Sequence, residues 1–463
     1  MARKAASRLK TRYVCAACGS VQLRWSGRCP ECGEWNTLVE EVVEDRPSLS
    51  SAALPSTSKP QPLAEIRADA LQRWPLPLGE FSRVLGGGIV PGSLVLIGGD
   101  PGIGKSTLLL QTAVLAAQHI GTALYVSGEE SAQQIKMRAE RLGFGSSDLL
   151  LLTETNLDAV IQVIESVQPR VCVVDSIQTM YVDALESSPG TVTQVRECAQ
   201  RLQTVAKARN IAIFIVGHVT KEGTLAGPKV LEHIVDTVLQ LEGDRFHAFR
   251  ILRSLKNRFG ATSEVGVFEM TGEGMREVTN PSEAFLAERV AHVPGSTVAV
   301  TMEGTRPLLV EVQALTSPTQ APLPRRTANG FDYNRLFLLL AVLSARLRFN
   351  LNARDVFVNI VGGLTIEEPA ADLAAAVAIA SAYLGKPVPP EVALIGEVGL
   401  SGEVRSVSQI SQRLHEAAKL GFSRCVIPKT ARKVESPPAG MRVLPVRSVG
   451  EALDMVLNGA PQQ

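Results

Sequence analysis

Gly99-Asp100-Pro101-Gly102-Ile103-Gly104-Lys105-Ser106 fits the pattern GxxxxGKS, with Thr107 directly after it. Glycines let consecutive backbone N–H groups turn inward around phosphate oxygens, and a helix starting at the end of such a loop adds positive potential. In that geometry Lys105 reaches the β- and γ-phosphates of ATP, and the Ser106 hydroxyl coordinates Mg²⁺. A phosphate loop alone hydrolyses nothing: a carboxylate must help hold the metal, and another group must activate water. Asp175 ends the apolar run Arg170 to Val174 and is the candidate Mg²⁺ carboxylate, acting through water; an Asx-turn at a strand end is its other reading. Gly128-Glu129-Glu130 offers two adjacent carboxylates, either able to orient and deprotonate water, although Glu in a first helical turn also serves the helix dipole. His218, at the end of the run Ile211 to Gly217, is a candidate γ-phosphate sensor or else a hydrogen-bonded structural histidine.

Cys15-Ala16-Ala17-Cys18 and Cys29-Pro30-Glu31-Cys32 form two CxxC pairs separated by ten residues and followed by Gly19 and Gly33. Four thiolates on two tight turns match tetrahedral Zn²⁺, and a segment this small needs a metal to fold. Disulfides or a redox role are the other use of such pairs. Cys172, Cys198 and Cys425 lie in periodic or strand-like segments and read as buried spectators. Tyr13, Trp25 and Trp35 lie among Arg12, Arg24 and Arg28. The module therefore touches single-stranded DNA or a protein, or spends its aromatics on its own small core.

These residues need a scaffold, and the pattern around them supplies an α/β one. Leu94 to Ile97, Thr122 to Ser127, Arg170 to Asp175 and Ile211 to Gly217 are near-continuous apolar runs, as parallel strands covered on both faces require. Lys105 to Gln118, Ser131 to Leu142, Leu157 to Val167 and Thr193 to Ala208 read as the intervening helices of a right-handed βαβ series. Phe246 to Leu255 and Glu264 to Met270 read as an antiparallel hairpin around Asn257-Arg258-Phe259-Gly260. After Asn280-Pro281 the pattern restarts as an α+β domain. It has strands near Val298 to Val300 and Leu308 to Ala314, a Pro-rich loop from Ser317 to Pro324, a helix from Tyr333 to Arg346, a strand from Asp355 to Val361 and an Ala-rich helix from Ala371 to Leu384. The expected organisation is a zinc-binding knuckle (1–40), a linker (41–63) rich in Ser, Pro and Ala, an ATPase domain (64–280) and a C-terminal domain (285–463).

Composition sets outer limits. Of 463 residues 45% are hydrophobic and 20% charged, which supports several packed cores and excludes global disorder. Lys plus Arg (47) nearly balance Asp plus Glu (46), so attraction to nucleic acid must be local. It is local at the N-terminus, where seven bases and no acid precede Glu31 and six acids and no base fill Glu31 to Asp45. The longest near-continuous apolar stretch, Leu373 to Leu384, is too short to span a bilayer. With no signal-peptide pattern either, the expectation is a soluble intracellular protein without a membrane partner.

The lead-in Gly86-Gly87-Gly88-Ile89-Val90-Pro91-Gly92, the phosphate loop, Tyr125-Val126-Ser127-Gly128-Glu129-Glu130-Ser131 and the Asp175 strand together resemble a RecA-type ATPase core. That resemblance implies that Glu129 takes the water-activating position, and that the loops Met180 to Gln194 and Val219 to His233 face nucleic acid. The second loop carries Lys221 and Lys229 as DNA-binding candidates; an ordinary surface loop is the alternative. Lys256-Asn257-Arg258-Phe259-Gly260, taken with the four-cysteine module, resembles the bacterial RadA (Sms) family of DNA-repair proteins over nearly the whole chain. The resemblance implies a cytoplasmic bacterial ATPase in recombinational repair, working as a homo-oligomeric, hexameric ring on single-stranded and branched DNA alongside a recombinase. Physically, Lys256 and Arg258 can supply positive charge to a neighbour's γ-phosphate, or belong to a solvated turn.

Glu367-Glu368-Pro369-Ala370-Ala371-Asp372, the Ala-rich helix and Gly396 to Val404 resemble the proteolytic domain of Lon. Lon uses a serine nucleophile and a lysine base. Those positions are Ala370 and Arg413 here: one has no nucleophile, and the other stays protonated. Peptide hydrolysis is not expected. Arg346, Arg348, Arg354, Arg405 and Arg413 are the basic residues this domain offers to duplex or junction DNA, or to solvent. Three functional classes follow: a DNA motor, whose ATPase responds to single-stranded DNA; a nucleotide-switched scaffold, which binds a protein partner without DNA; and an ATP-dependent protease, which the missing Ser and Lys oppose.

Overall fold

The computed structural model describes residues 9–44, 72–144, 148–217, 231–243, 248–321, 323–429 and 437–457. His218, Lys221, Lys229 and most of the expected linker lie outside the described residues. The chain divides into two compact units, Met1–Glu242 with Leu252–Thr262 and Thr271–Met275, and Gly243–Ile251 with Ser263–Met270 and Arg276–Gln463.

The first unit begins with a small sheet of β1 (Leu9–Cys15), β2 (Val21–Gln22) and β3 (Leu38–Glu44), ordered β2-β1-β3. Strand β1, with Lys10 and Arg12, is registered on β3, with Glu40, Glu41 and Glu44: Arg12 pairs with Glu41 and Tyr13 with Glu40, so part of the charge division at the N-terminus lies in two paired strands. The helix α1 (Gly79–Leu85) stops at Gly86, which adopts φ 86° and returns its N–H to Arg83 O. There follow β4 (Leu94–Gly99), α2 (Lys105–His119), β5 (Ala123–Ser127), α3 (Ala132–Arg141), β6 (Leu150–Thr153), α4 (Leu157–Val167), β7 (Val171–Asp175), α5 (Val192–Arg209), β8 (Ala212–Val216) and β9 (Thr237–Glu242). The strands lie side by side as β9-β4-β8-β7-β5-β6 and run parallel throughout. Every side chain of β4, β5, β7 and β8 is buried, as continuous apolar runs demand of a sheet with two covered faces. Helix starts follow local chemistry: Ser131 and Gln134 form a capping box on α3, and Asn156 caps α4 by accepting from Asp158 N and Ala159 N.

Two strands of this sheet are not among those the sequence predicts. β6 is Leu-Leu-Leu-Thr, apolar but only four residues long and largely exposed, too short for pattern alone to tell it from a helix segment or loop. β9 follows the undescribed 218–230 segment and mixes Thr and Gln with its apolar residues. The expected hairpin is shifted to β10 (Phe249–Asn257) and β11 (Val265–Thr271), with β12 (Gly274–Glu277) after it.

In the second unit α6 (Pro281–Leu286) precedes a seven-stranded sheet. Its strands are β13 (Ser296–Glu303), β14 (Arg306–Pro318), β15 (Arg326–Asn329), β16 (Arg354–Ile360), β17 (Val392–Leu394), β20 (Arg424–Pro428) and β21 (Arg442–Val446), ordered β15-β16-β14-β13-β17-β20-β21; β18 (Glu397–Val398) and β19 (Val404–Arg405) pair separately. Strand β14 continues to Pro318, past the point where its prolines suggest a loop. Helices α7 (Tyr333–Leu347), α8 (Asp372–Leu384), α9 (Ile410–Lys419) and α10 (Val449–Leu457) complete the unit. Asp372 to Ser381 of α8 are all buried, which explains why this Ala-rich segment is apolar on every side.

Arg413 corrects one expectation. Its side chain has no exposed surface, so it cannot contact DNA. The guanidinium bonds Glu368 in a forked pair, Val300 O at 2.7 Å and Ser408 O at 2.9 Å, while Glu368 Oε2 also accepts from Thr301 Oγ1 at 2.9 Å and Met302 N at 2.6 Å. The position of a lysine base thus holds a satisfied structural cation, and Ala370, in the nucleophile's position, is fully buried. Arg354 is half-buried over the Tyr383 ring, whereas Arg346, Arg348 and Arg405 are exposed. Removing one partner of a buried pair strands the other's charge and costs about 3–5 kcal/mol. Arg413→Leu is therefore expected to lower the urea midpoint of this unit's unfolding, and Arg413→Lys, which cannot reproduce the fork, to recover only part of it.

Candidate active site and zinc centre

Parallel strands bring their carboxyl ends to one edge of the sheet, where α/β folds bind ligands. The phosphate loop leaves β4 at that edge, Glu129 and Glu130 follow β5, and Asp175 ends β7. Gly99 has φ 146°, and a Cβ there would lie 2.5 Å from Leu241 O on β9; Gly104 opens α2 at φ 115°. Lys105 is buried, with its ammonium donating to Gly99 O at 2.7 Å and Asp100 O at 2.9 Å. Burial lowers its pKa, while the charges of Asp175, Asp100 and Glu129 oppose that shift. One cation and both expected carboxylates therefore share a single electrostatic neighbourhood.

The adjacent glutamates have different partners. Glu129 Oε1 accepts from Ser176 Oγ at 2.5 Å, on the residue next to Asp175. Glu130 is paired with Arg138 on α3, and its backbone N–H donates to Ser127 Oγ at 3.0 Å. Asp175, nearly buried, accepts a 2.6 Å hydrogen bond on Oδ2 from the Tyr125 hydroxyl. Burial, then the Asp175 charge, raises the Tyr125 pKa well above its ordinary value, so the phenol remains a donor. Gly128 donates to Asp175 O at 2.9 Å and has no room for a side chain: a Cβ would lie 2.1 Å from Thr179 Oγ1. Tyr125, Arg138 and Ser176 are not among the site residues expected from the sequence. The one signal available for them is a phenol inside an otherwise aliphatic buried strand.

Lys256 and Arg258 are engaged within their own unit. The Lys256 ammonium donates to Val235 O at 2.9 Å and to Glu232 O, and Arg258 Nη1 bonds Asp236 Oδ1 at 3.1 Å. Asp236 is itself nearly buried and accepts from Leu94 N at 3.1 Å. Asn257 donates to Leu85 O at 3.3 Å and accepts from Phe259 N at 2.9 Å. Gly86 and Gly260 meet so closely that a Cβ on either lies 3.2–3.3 Å from the other's Cα. The segment thus fastens the glycine-rich lead-in to residues 232–236, immediately beyond the stretch that holds His218, Lys221 and Lys229.

At the N-terminus the four sulfurs converge. All lie within 4.8 Å of one another, and Cys15–Cys32 and Cys18–Cys29 are 3.6 Å apart. Tetrahedral zinc with bonds of about 2.3 Å needs sulfurs roughly 3.8 Å apart, so the set fits the ion. Each pair closes on a glycine of positive φ: Gly19 N bonds Cys15 O at 2.8 Å, and Gly33 N bonds Cys29 O at 2.9 Å. The Cys32 amide, then the Ser20 hydroxyl, lower the Cys29 thiol to about 6. For Cys32 the Glu34 amide pulls down, but desolvation and the three neighbouring thiols prevail and push it up to about 12. Four thiols this close cannot all ionise without a cation among them. Among the described residues the buried apolar cluster is Cys15, Cys29 and Leu38, far too little to fold without metal.

Glu129→Gln is expected to keep nucleotide binding but lower ATP turnover by roughly 10²–10⁴-fold, the usual worth of a general base; Glu130→Gln should lose far less, as single-turnover kinetics will distinguish. Because protons compete with Zn²⁺ for thiolates, acidification or a strong chelator should release one zinc per chain, read by a colorimetric indicator, and abolish the structure of residues 9–44.

Three family models match the chain: one described as AAA domain over residues 68–224, one as Rubredoxin metal binding domain over 13–40, and one as Subunit ChlI of Mg-chelatase over 339–431. The first contains the phosphate loop and the second the four cysteines, so the cofactors are ATP with Mg²⁺ and Zn²⁺, and the chain is an ATPase. Among solved structures, a KaiC-like protein from Pyrococcus horikoshii OT3 is 21% identical, covering 45% of this chain and 99% of its own with a TM-score of 0.38. No helix among the described residues is long and apolar enough to cross a membrane. The DNA repair protein RadA of Bacillus subtilis (strain 168) is 51% identical over 98% of this chain and 100% of its own, and that of Synechocystis sp. is 48% identical over 97% and 95%. Identity at this level from end to end is decisive: the chain belongs to the RadA family of DNA repair proteins.

Proposed function

We propose that this chain is a DNA-dependent ATPase of recombinational repair in the bacterial cytoplasm, a ring-shaped, hexameric motor that moves on single-stranded or branched DNA and promotes branch migration beside a recombinase. In this reading the four segments, 1–40, 41–63, 64–280 and 285–463, serve as zinc module, linker, motor and Lon-like assembly domain. The phosphate loop, Gly99 to Thr107, wraps the triphosphate, and Lys105 draws charge from its β- and γ-oxygens. Ser106 and, through water, Asp175 would hold Mg²⁺, which when bound would supply positive charge to the phosphate oxygens. Glu129 orients a water and accepts its proton as the oxygen attacks the γ-phosphorus; the β–γ bridging bond breaks toward ADP. His218 senses the γ-phosphate, Lys256 and Arg258 of a neighbour complete the site in trans, and Lys221 and Lys229 carry the DNA backbone.

The observation that supports this reading best is the attachment of the Lys256–Gly260 segment to residues 232–236. A side-chain pair that leaves Asp236 or Val235 for a neighbour's phosphate releases residues 232–236, which follow Lys221 and Lys229 in sequence, at the same moment. Hydrolysis and DNA grip would then share one element, as a motor needs.

Single-stranded DNA is expected to stimulate ATP turnover severalfold at ~50 mM salt and to lose that stimulation steeply by ~200 mM, as counterion release dictates. Lys105→Ala should abolish turnover, and Lys221→Ala with Lys229→Ala should abolish the stimulation alone. Turnover indifferent to DNA, with a monomer in electron micrographs, would turn the assignment toward a nucleotide-switched scaffold.

A further inference from the structure

We propose that Tyr125 is a positioning residue for ATP hydrolysis, its hydroxyl fixing the Asp175 carboxylate so that a single oxygen is presented to the nucleotide's metal. The inference rests on the reading of Asp175 as the metal carboxylate. Strand β5 is Ala-Leu-Tyr-Val-Ser, buried at every position, and a phenyl ring would fill the same space. A hydroxyl in such a place is costly unless it has an acceptor. Its acceptor is Asp175 Oδ2, at 2.6 Å.

Register makes the contact. Tyr125 is paired with Val173 and Ser127 with Asp175. Alternate residues of a strand share a face, so the phenol points along the same side of the sheet as Asp175 and reaches it across one interstrand gap. The backbone of that corner is already pinned, because Gly128 N bonds Asp175 O at 2.9 Å. Main chain and side chain of Asp175 are thus both tethered to β5, and Oδ1 is left for the metal's water. Hydrogen bonds to a carboxylate are about twice as strong as neutral ones. Without this one, the Asp175 carboxylate, whose charge acts on the buried ammonium of Lys105, would be free to turn toward it, and that turn would misplace both groups.

The test is Tyr125→Phe, read by binding of a fluorescent ATP analogue against free Mg²⁺ and in EDTA, together with kcat and KM. Losing a hydrogen bond to a charged group should raise the half-saturating Mg²⁺ roughly tenfold or more and lower kcat comparably. Binding in EDTA and KM for ATP at saturating Mg²⁺ should not move, since the phosphate loop is untouched. Asp175→Asn should also raise the Mg²⁺ requirement, and adding Tyr125→Phe to it should change nothing further. An unchanged Mg²⁺ dependence in Tyr125→Phe overturns the proposal, as does loss of folding scored by circular dichroism, because either leaves the tyrosine a packing residue. An unchanged Mg²⁺ dependence in Asp175→Asn instead overturns the assignment of Asp175.

Discussion

The candidate active site depends first on how β5 lies against β7. Their pairing sets Ser127 beside Asp175, and a slip of one residue would turn Tyr125 and Asp175 to opposite faces of the sheet. Continuous apolar strands do not choose their register through alternation, so something else must. The hydrogen bond from Gly128 to Asp175, the phenol bond to its carboxylate and the tight approach of Thr179 to Gly128 all occur at the strand ends and all require the same alignment. The residues that pin the register are therefore next to those proposed to do the chemistry.

From that corner the remaining parts follow by adjacency. Strand β8 separates β7 from β4, which places the phosphate loop across from the carboxylates, and β9 closes on the other side of β4 through the carbonyl that excludes any side chain at Gly99. The second unit has a sheet and a helix buried from Asp372 to Ser381, while its Lon-like positions carry packing. The Glu368–Arg413 pair makes so many bonds to β13 and its surroundings that it functions as core.

Much of this is legible in the sequence because the signals are local. A phosphate loop, paired CxxC turns and capped amphipathic helices are written in consecutive residues; α4 spans Leu157–Val167, the bounds its periodicity predicts. What consecutive residues do not show is pairing at a distance. Nothing near Glu129 and Glu130 says that Arg138 neutralises the second and Ser176 holds the first. Arg413 reads as a surface cation because a guanidinium usually is one, and only Glu368, 45 residues away, makes its burial possible. Asn257 sits in a motif valued for its charges, yet its amide does the fastening, through Leu85, 172 residues earlier.

In the zinc module ligand and core are the same atoms. Among the described residues, Cys15 and Cys29 are two of the three that make up its buried cluster. Oxidation of a thiolate to a sulfenic or sulfinic acid elsewhere in a protein can cost only reactivity. Here it would expel the ion and replace an apolar contact with a polar group in one event, so an oxidant that reaches these sulfurs dissolves the module rather than weakening it by degrees.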